Sequence, residues 1–84
     1  MGRGTRQLPK KLGGKLKKIR LQLGLTQGEM AEALNKRTSS RSIHQAHVSG
    51  FERGEREPSL LTLVTYARLG GVTVDYLADD TARA

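Results

Sequence analysis

The sequence predicts an all-α domain built from five short helices. Its 84 residues include no cysteine and only two Tyr and one Phe, and no stretch alternates β-branched and polar residues as a strand would. Apolar residues instead recur every three or four positions, and Gly, Ser and Thr stand where helices would end or begin. Such a chain forms one small domain, with stability on the order of 5 kcal/mol and without disulfides or thiolate metal sites.

The formal net charge of +7 is distributed unevenly. Residues 1–28 contain eight Lys or Arg and no acid, residues 29–56 balance to about +1, and residues 57–84 to about −2. This asymmetry predicts a polyanionic partner that meets one side of the molecule. No apolar run approaches the roughly 18 residues of a membrane span, and no apolar signal segment is present, so we expect a cytoplasmic protein without a membrane partner.

Composition divides the chain into three parts. Residues 1–11 are Gly-rich and basic, which predicts a flexible arm that either follows a phosphate backbone, enters a minor groove or serves only as a solvated tail. Residues 12–78 contain the helical patterns and form the folded domain. Residues 79–84 are expected to be a frayed tail.

Helix 1 is predicted from a stripe of apolar residues at helical spacing. The stripe comprises Leu12, Leu16, Ile19 and Leu23. Gly13 and Gly14 weaken the first turn by about 1 kcal/mol each, so the regular helix could begin only at Gly14 or Lys15. Gly24 is expected to end it in the left-handed conformation. Four cations lie between the apolar residues, which favours a partner-binding face over an ordinary solvated one; they are Lys15, Lys17, Lys18 and Arg20.

Helix 2 begins at residues 26–29, T-Q-G-E, which match a capping box. Its buried side is expected to be Met30, Ala31 and Leu34. Gln27 lies in the first turn, where backbone N–H groups and the helix dipole favour an anion such as a phosphate. The segment Asn35–Ser42 has no apolar residue and three cations, and this composition predicts a loop.

Helix 3 follows Ile43 and is predicted to turn Val48 and Phe51 inward. The outward face then carries Gln45, Ala46, Ser49, Gly50 and Arg53. This face is nearly free of bulk and negative charge. A glycine inside a helix costs about 1 kcal/mol, so Gly50 either permits close approach of a partner or is a tolerated imperfection.

The last two helices are delimited by capping residues. Gly54–Pro58 breaks helix 3, Ser59 caps helix 4, Gly70–Gly71 ends it, and Thr73 caps a short helix 5. The expected inward residues are Leu60, Leu63, Val64 and Ala67 in helix 4, and Val74 and Leu77 in helix 5.

Four motifs now carry a specific resemblance. They are L-x3-L-x2-I-R-x3-G-L-T-Q-x-E-M-A at residues 12–31, V-S-x-F-E-R-G at 48–54, P-S-L-x2-L at 58–63 and G-V-T-V-D-Y-L at 71–77. In this order they resemble the phage-repressor and Cro-like helix-turn-helix family, also called the XRE family. The resemblance implies a compact five-helix, lambda-repressor-like domain whose helices 2 and 3 read double-stranded DNA, usually as a homodimer on a palindromic operator. It implies a transcriptional regulator, in the simplest case a repressor that works by operator occupancy.

The resemblance also implies roles for individual residues. The positions that face bases are Gln45, Ala46, Ser49 and Gly50. The positions that touch phosphates, or lie beside such positions, are Gln27, His44, His47 and Arg53. Arg20 and Glu52 match a pair that bridges helix 1 to the recognition helix, which can also bring Arg20 near a phosphate. Gln45 suits adenine, Ala46 suits a thymine methyl, and Ser49 is permissive.

The chain departs from the family in two places. Lys36–Ser42 looks like an insertion between helices 2 and 3, and we hypothesise that Lys36, Arg37 and Arg41 add phosphate contacts or enter an adjacent groove; a passive longer loop is the alternative. Gly50 stands where relatives often carry a long base-reading side chain, which predicts sparse direct readout and a larger share for backbone contacts and DNA shape. Ser42 and Gln45 could also form an S-x-x-Q capping box that releases Gln45 only on DNA.

Other functions are weighed against DNA binding. His44 and His47 share a helical face, but no Cys or carboxylate accompanies them, so we expect no metal. No nucleophile–base arrangement or phosphate-binding loop is present, so we expect neither catalysis nor a cofactor. The alternatives are an antitoxin-like or adaptor module that binds a protein partner with the same fold, and a general nucleic-acid or RNA binder. Val74, Tyr76 and Leu77 in helix 5 could serve either the core or a dimer interface.

Overall fold

The structure is a computed structural model that describes residues 9–80, and these residues form five α-helices and no strand. The helices are α1 Leu12–Gln22, α2 Gln27–Thr38, α3 Gln45–Arg53, α4 Leu60–Gly70 and α5 Val74–Ala78. The predicted all-α class is therefore confirmed. None of these helices is long and apolar enough to cross a membrane. Most of the predicted arm, residues 1–8, and most of the predicted tail, residues 81–84, lie outside the described residues.

All five helices contribute to one hydrophobic core. Its buried members are Leu12, Leu16, Ile19, Met30, Ala31, Leu34, Val48, Phe51, Tyr66, Ala67 and Leu77. Helix α1 packs against α3, α4 and α5, while α2 packs against α3 and α4. Leu77 is therefore a core residue, and Val74 and Tyr76 pack against the core while remaining partly exposed. The core places the N-terminus of α2 beside α3.

The prediction that Leu60 faces the core is wrong, because this residue is 70% exposed. Ser59 caps α4 immediately before it, so Leu60 lies in the first turn, ahead of the part of the helix that reaches the core. Two threonines are buried on the inward face instead, Thr62 and Thr65. The Thr65 hydroxyl donates to the Leu61 carbonyl at 2.8 Å, which satisfies its polar group inside the helix.

The predicted caps are confirmed at three helices. Thr26 and Glu29 form the expected capping box of α2, Ser59 accepts from the N–H of Thr62, and Thr73 accepts from the N–H of Tyr76. The predicted glycine ends are also confirmed, since the backbone is left-handed at Gly24, Gly54 and Gly71. These side-chain and glycine caps satisfy backbone groups that the helix ends leave unpaired.

Helix α1 begins at Leu12, so the suggested later start at Gly14 or Lys15 is wrong. The reason is that Gly13 lies where α1 crosses α3, and the contact with α3 outweighs the low helix propensity of glycine. A Cβ at Gly13 would collide with the carbonyl group of Glu52 and would lie 3.0 Å from the carbonyl oxygen of Phe51. Glycine thus allows α1 to approach the C-terminal turn of α3 closely.

Lys15 is not part of a basic surface, because it is only 1% exposed. Its ammonium Nζ donates to the carbonyl oxygens of Tyr76 and Asp79, both at 2.5 Å, and lies 4.5 Å from the centre of the Tyr76 ring. A cation at the end of α5 satisfies carbonyls that have no intrahelical partner and complements the helix dipole. Lys15 therefore ties α1 to α5.

The predicted Asn35–Ser42 loop is wrong in its first half, because α2 continues to Thr38 and places Lys36 and Arg37 on its last turn. The connection that remains is held by Asn35. Its side-chain amide donates to the Ile43 carbonyl at 2.7 Å and its side-chain oxygen accepts from the Ile43 N–H at 3.0 Å. This pair of bonds anchors the chain where it enters α3.

Candidate nucleic-acid interface

An ion pair joins α1 to α3, as the sequence resemblance implied. Arg20 Nε lies 2.6 Å from Glu52 Oε2, and Arg20 Nη2 donates to Glu52 Oε1 at 3.1 Å. The two side chains are 10% and 4% exposed, and the hydrogen bond to the carboxylate raises the pKa of the Arg20 guanidinium. Its Nη1 donates to the Leu25 carbonyl at 2.9 Å. All three nitrogens therefore point into the protein, and the suggested phosphate contact of Arg20 is not supported.

The same carboxylate positions Gln27. The Gln27 side-chain amide donates to Glu52 Oε1 at 3.1 Å. The Glu52 carboxylate of α3 therefore binds both Arg20 of α1 and Gln27 of α2. The sequence matched Arg20 with Glu52 but gave no indication that Gln27 joins them. The first turn of α2 and the side of α3 are thereby held together.

Two histidines organise the start of α3. His44 is the N-cap, and its backbone N–H donates to Nδ1 of His47 at 2.9 Å. The two rings stack with centroids 5.5 Å apart. His47 thus takes the place of the Glu or Gln of a capping box. Because its Nδ1 accepts, the neutral His47 ring carries its proton on Nε2, which is its remaining donor.

The suggested capping box of Ser42 and Gln45 is therefore wrong. The Ser42 hydroxyl is 3.0 Å from the hydroxyl of Ser40 and does not cap α3. The N-cap is His44, two residues later than that box requires, because the histidine pair supplies the first-turn hydrogen bond. Gln45 is exposed and is the first residue of α3.

Most of the residues singled out on α2 and α3 border one open cleft. Its lining consists of Gln27, His44, Gln45, Ala46, Ser49 and Arg53. None of the residues within 9–80 that line it is acidic, and their side chains offer amide, hydroxyl, imidazole and guanidinium groups together with one methyl. The structure thus brings together residues that lie far apart in the sequence, from Gln27 in α2 to Arg53 at the end of α3.

Arg53 is already paired within this cleft region. Its guanidinium donates to the hydroxyl of Ser49 and, at 2.9 Å, to Oε1 of Glu55. Both members of the ion pair are exposed. The hydrogen bond lowers the pKa of the Glu55 carboxyl and raises the pKa of the Arg53 guanidinium. A phosphate that bound Arg53 would compete with Glu55.

Gly50 allows the close approach of another part of this chain, the side chain of Arg56. Gly50 is buried, and a Cβ built on it would lie 3.1 Å from Cβ and 3.6 Å from Cδ of Arg56. The side chain of Arg56 covers the position because the loop after α3 turns back over the helix. The sequence prediction did not consider Arg56, although an interior helical glycine close to an arginine-bearing loop was a usable signal.

The three cations predicted for an inserted loop do not share one location. Arg37 follows Gly28 by nine residues, which at about 100° per residue places it on the opposite flank of α2. The Gly28 flank faces Gln45, whereas Arg37 lines a second cleft with Leu61, Thr65 and Arg68. Lys36 and Arg41 are exposed at the end of α2 and in the connection to α3. Arg37 is therefore separated from the α2–α3 cleft.

No group of three or more His, Cys, Asp or Glu residues within residues 9–80 is arranged to hold a metal ion. His44 and His47 are instead accounted for by their stacking and by the helix cap.

Comparison with known proteins supports the sequence resemblance. The sequence profile of the helix-turn-helix family matches residues 16–77. Over 66 residues the chain is 39% identical to the HTH-type transcriptional regulator ImmR of Bacillus subtilis (strain 168), a region that covers 79% of this chain and 46% of ImmR. The chain therefore spans less than half the length of this relative.

Proposed function

The chain belongs to the helix-turn-helix family, and from this premise we propose that it is a sequence-specific DNA-binding transcriptional regulator that represses by occupying its operator. The observation that carries the proposal is the cleft in which Gln27 of α2 meets the polar face of α3, where none of the described lining residues is acidic. A helix with this face fits the major groove, and the first turn of α2 faces the flanking phosphates.

Base readout is assigned to α3. Gln45 can contact adenine through its amide, the Ala46 methyl can pack against a thymine methyl, and the Ser49 hydroxyl can accept or donate to several bases. The core residues on the other side of α3, Val48 and Phe51, hold this face outward.

Phosphate contacts are assigned to residues around this face. Gln27, His44 and Arg53 border the cleft, His47 stacks on His44, and Lys36 and Arg41 are exposed near the entry to α3. Arg37 and Arg20 are left out, because one lies on the far flank of α2 and the other is buried against Glu52. We assign a homodimer on a two-fold symmetric operator, as helix-turn-helix domains commonly use. Such a protein acts in the bacterial or phage-infected cytoplasm, at the nucleoid.

Selection of bound duplexes from a random pool tests the proposal. The expected result is an enriched palindrome whose half-sites lie about one helical turn apart. Affinity for this duplex should fall steeply with salt, with a log–log slope of about 0.9 per phosphate neutralised. Recovery of no preferred duplex, or binding that is flat across moderate salt, would contradict the proposal. A co-purifying protein bound with little salt dependence would favour a protein-interaction module instead.

Two arginine variants provide a matched comparison. Arg53→Ala and Arg37→Ala each remove one exposed arginine and change the net charge equally. Arg53→Ala should weaken binding to all duplexes and reduce the salt slope by about 1, whereas Arg37→Ala should change the slope much less. Equal effects of the two variants would contradict the placement of the DNA on the α2–α3 cleft.

A further inference from the structure

We propose that Arg56, in the loop after α3, is a specificity-determining residue that reads a guanine in the major groove from its position over Gly50. This inference rests on the proposed DNA-binding function. It assigns base readout to a residue that lies outside the recognition helix and outside the motif positions considered above.

The first observation is the close contact of Arg56 with α3. The point that a Cβ of Gly50 would occupy lies 3.1 Å from Cβ, 3.6 Å from Cδ and 3.8 Å from Nε of Arg56. The backbone supports this placement, because the Arg56 N–H donates to the Gly50 carbonyl at 3.2 Å. The Arg56 side chain therefore packs over Gly50 with its Cβ, Cδ and Nε.

The second observation is that this contact lies beside the exposed face of α3. At about 100° per residue, Gly50 is 40° from Ala46 and 60° from Arg53 around the helix axis. Ala46 and Arg53 both line the cleft assigned to DNA. A long side chain laid over Gly50 thus extends the readout surface where the helix itself has no side chain.

The third observation is that the guanidinium of Arg56 is available. Within residues 9–80 it makes no hydrogen bond or ion pair, and Arg56 is exposed. Arg53, by contrast, is engaged with Ser49 and Glu55. A planar guanidinium can donate two parallel hydrogen bonds to O6 and N7 of guanine, a pattern that no other base pair presents in the major groove.

The absence of a side chain at Gly50 therefore no longer predicts sparse base readout, because Arg56 lies where that side chain would be. A bulkier residue at position 50 would displace Arg56, so the glycine and the arginine act as one unit. Gly50 is a positioning residue in this unit, and Arg56 makes the contact.

The test uses the duplex enriched by the wild-type protein, a scrambled duplex, and a series in which each guanine is replaced in turn by 7-deazaguanine, which lacks the N7 acceptor. Arg56→Ala should lower the ratio of enriched to scrambled affinity by about tenfold to a hundredfold. One 7-deazaguanine position should weaken the wild type but not Arg56→Ala. Arg68→Ala, which removes an exposed arginine from the second cleft, is the charge-matched control and should preserve the ratio.

Gly50→Ala provides a second variant that keeps Arg56. The added methyl would lie 3.1 Å from Cβ of Arg56, so it should shift the arginine and lower the same affinity ratio, while far-ultraviolet circular dichroism should show that the helical fold is retained. If Arg56→Ala loses affinity equally for the enriched and the scrambled duplex, Arg56 contacts a phosphate and the inference is overturned. The inference is also overturned if Arg56→Ala is still weakened by the same 7-deazaguanine position as the wild type. If the wild type prefers no duplex, the proposed function fails. If Arg56→Ala keeps the sequence preference of the wild type, the proposed function stands and only the role of Arg56 fails.

Discussion

Replacing Glu52 with alanine should remove the group that holds α1, α2 and α3 together. The Arg20 guanidinium would keep only its bond to the Leu25 carbonyl and would remain in a site where its side chain is 10% exposed. Gln27 would lose its acceptor as well. Breaking one partner of a buried pair costs about 3–5 kcal/mol because the other charge is left uncompensated. Since this pair lies at the edge of the core, we expect about 3 kcal/mol.

Urea unfolding followed by far-ultraviolet circular dichroism measures this loss. With a slope of about 1 kcal/mol per molar urea for a small domain, the midpoint of Glu52→Ala should fall by about 3 M. Glu55→Ala is the control, because it also removes one acid but breaks only the exposed pair with Arg53. Its midpoint should move little, since exposed ion pairs are screened by solvent.

A combined variant identifies the cause of the loss. Adding Arg20→Met to Glu52→Ala removes the uncompensated charge, so the double variant should be more stable than Glu52→Ala alone. The reasoning is refuted if Glu52→Ala unfolds at the same urea concentration as Glu55→Ala, or if Arg20→Met destabilises the protein further.

Three other predictions concern single contacts. Asn35→Ala removes both bonds to Ile43 and should cost about 1–3 kcal/mol, with faster hydrogen exchange at the Ile43 amide; unchanged exchange would show that the connection is held elsewhere. Tyr66→Phe should leave stability unchanged or raise it by up to about 1 kcal/mol, because the buried hydroxyl has no partner within residues 9–80, and a clear loss in thermal unfolding would reveal one. Arg53→Ala should return the lowered pKa of the Glu55 carboxyl toward its ordinary value in an NMR titration. In the wild type, the stabilisation from this pair is present above the ordinary Glu pKa and is lost as pH falls through the lowered value; an unchanged titration would exclude the pair.

Local chemistry made the helix boundaries predictable. Thr26, Ser59 and Thr73 cap helices because their hydroxyls accept from N–H groups three residues ahead. Gly24 and Gly71 follow helix ends because a left-handed backbone suits glycine. These effects involve neighbours within a few residues. The start of α1, the end of α2 and the start of α3 were exceptions; at α3, His47 replaces the Glu or Gln of a capping box.

The arrangement of the site was predictable only in part. The face containing Gln45, Ala46, Ser49 and Arg53 followed from helical periodicity once Val48 was placed in the core. The inclusion of Gln27 in the site followed from the family resemblance, which implied a phosphate-contacting position for it. The cover that Arg56 provides over Gly50 did not follow, because it depends on how the loop after α3 folds back.

The sequence by itself determined the helical class, most helix ends, the family and the composition of the α3 face, because each depends on periodicity, local capping or motif order. Only the tertiary structure decided which cations are available to a partner. Lys15 lies at the end of α5 and Arg20 against Glu52, whereas Arg56 is exposed beside α3. The physical reason is that burial and pairing of a charge depend on which distant helix crosses above it, and the spacing of residues within one helix does not encode that crossing.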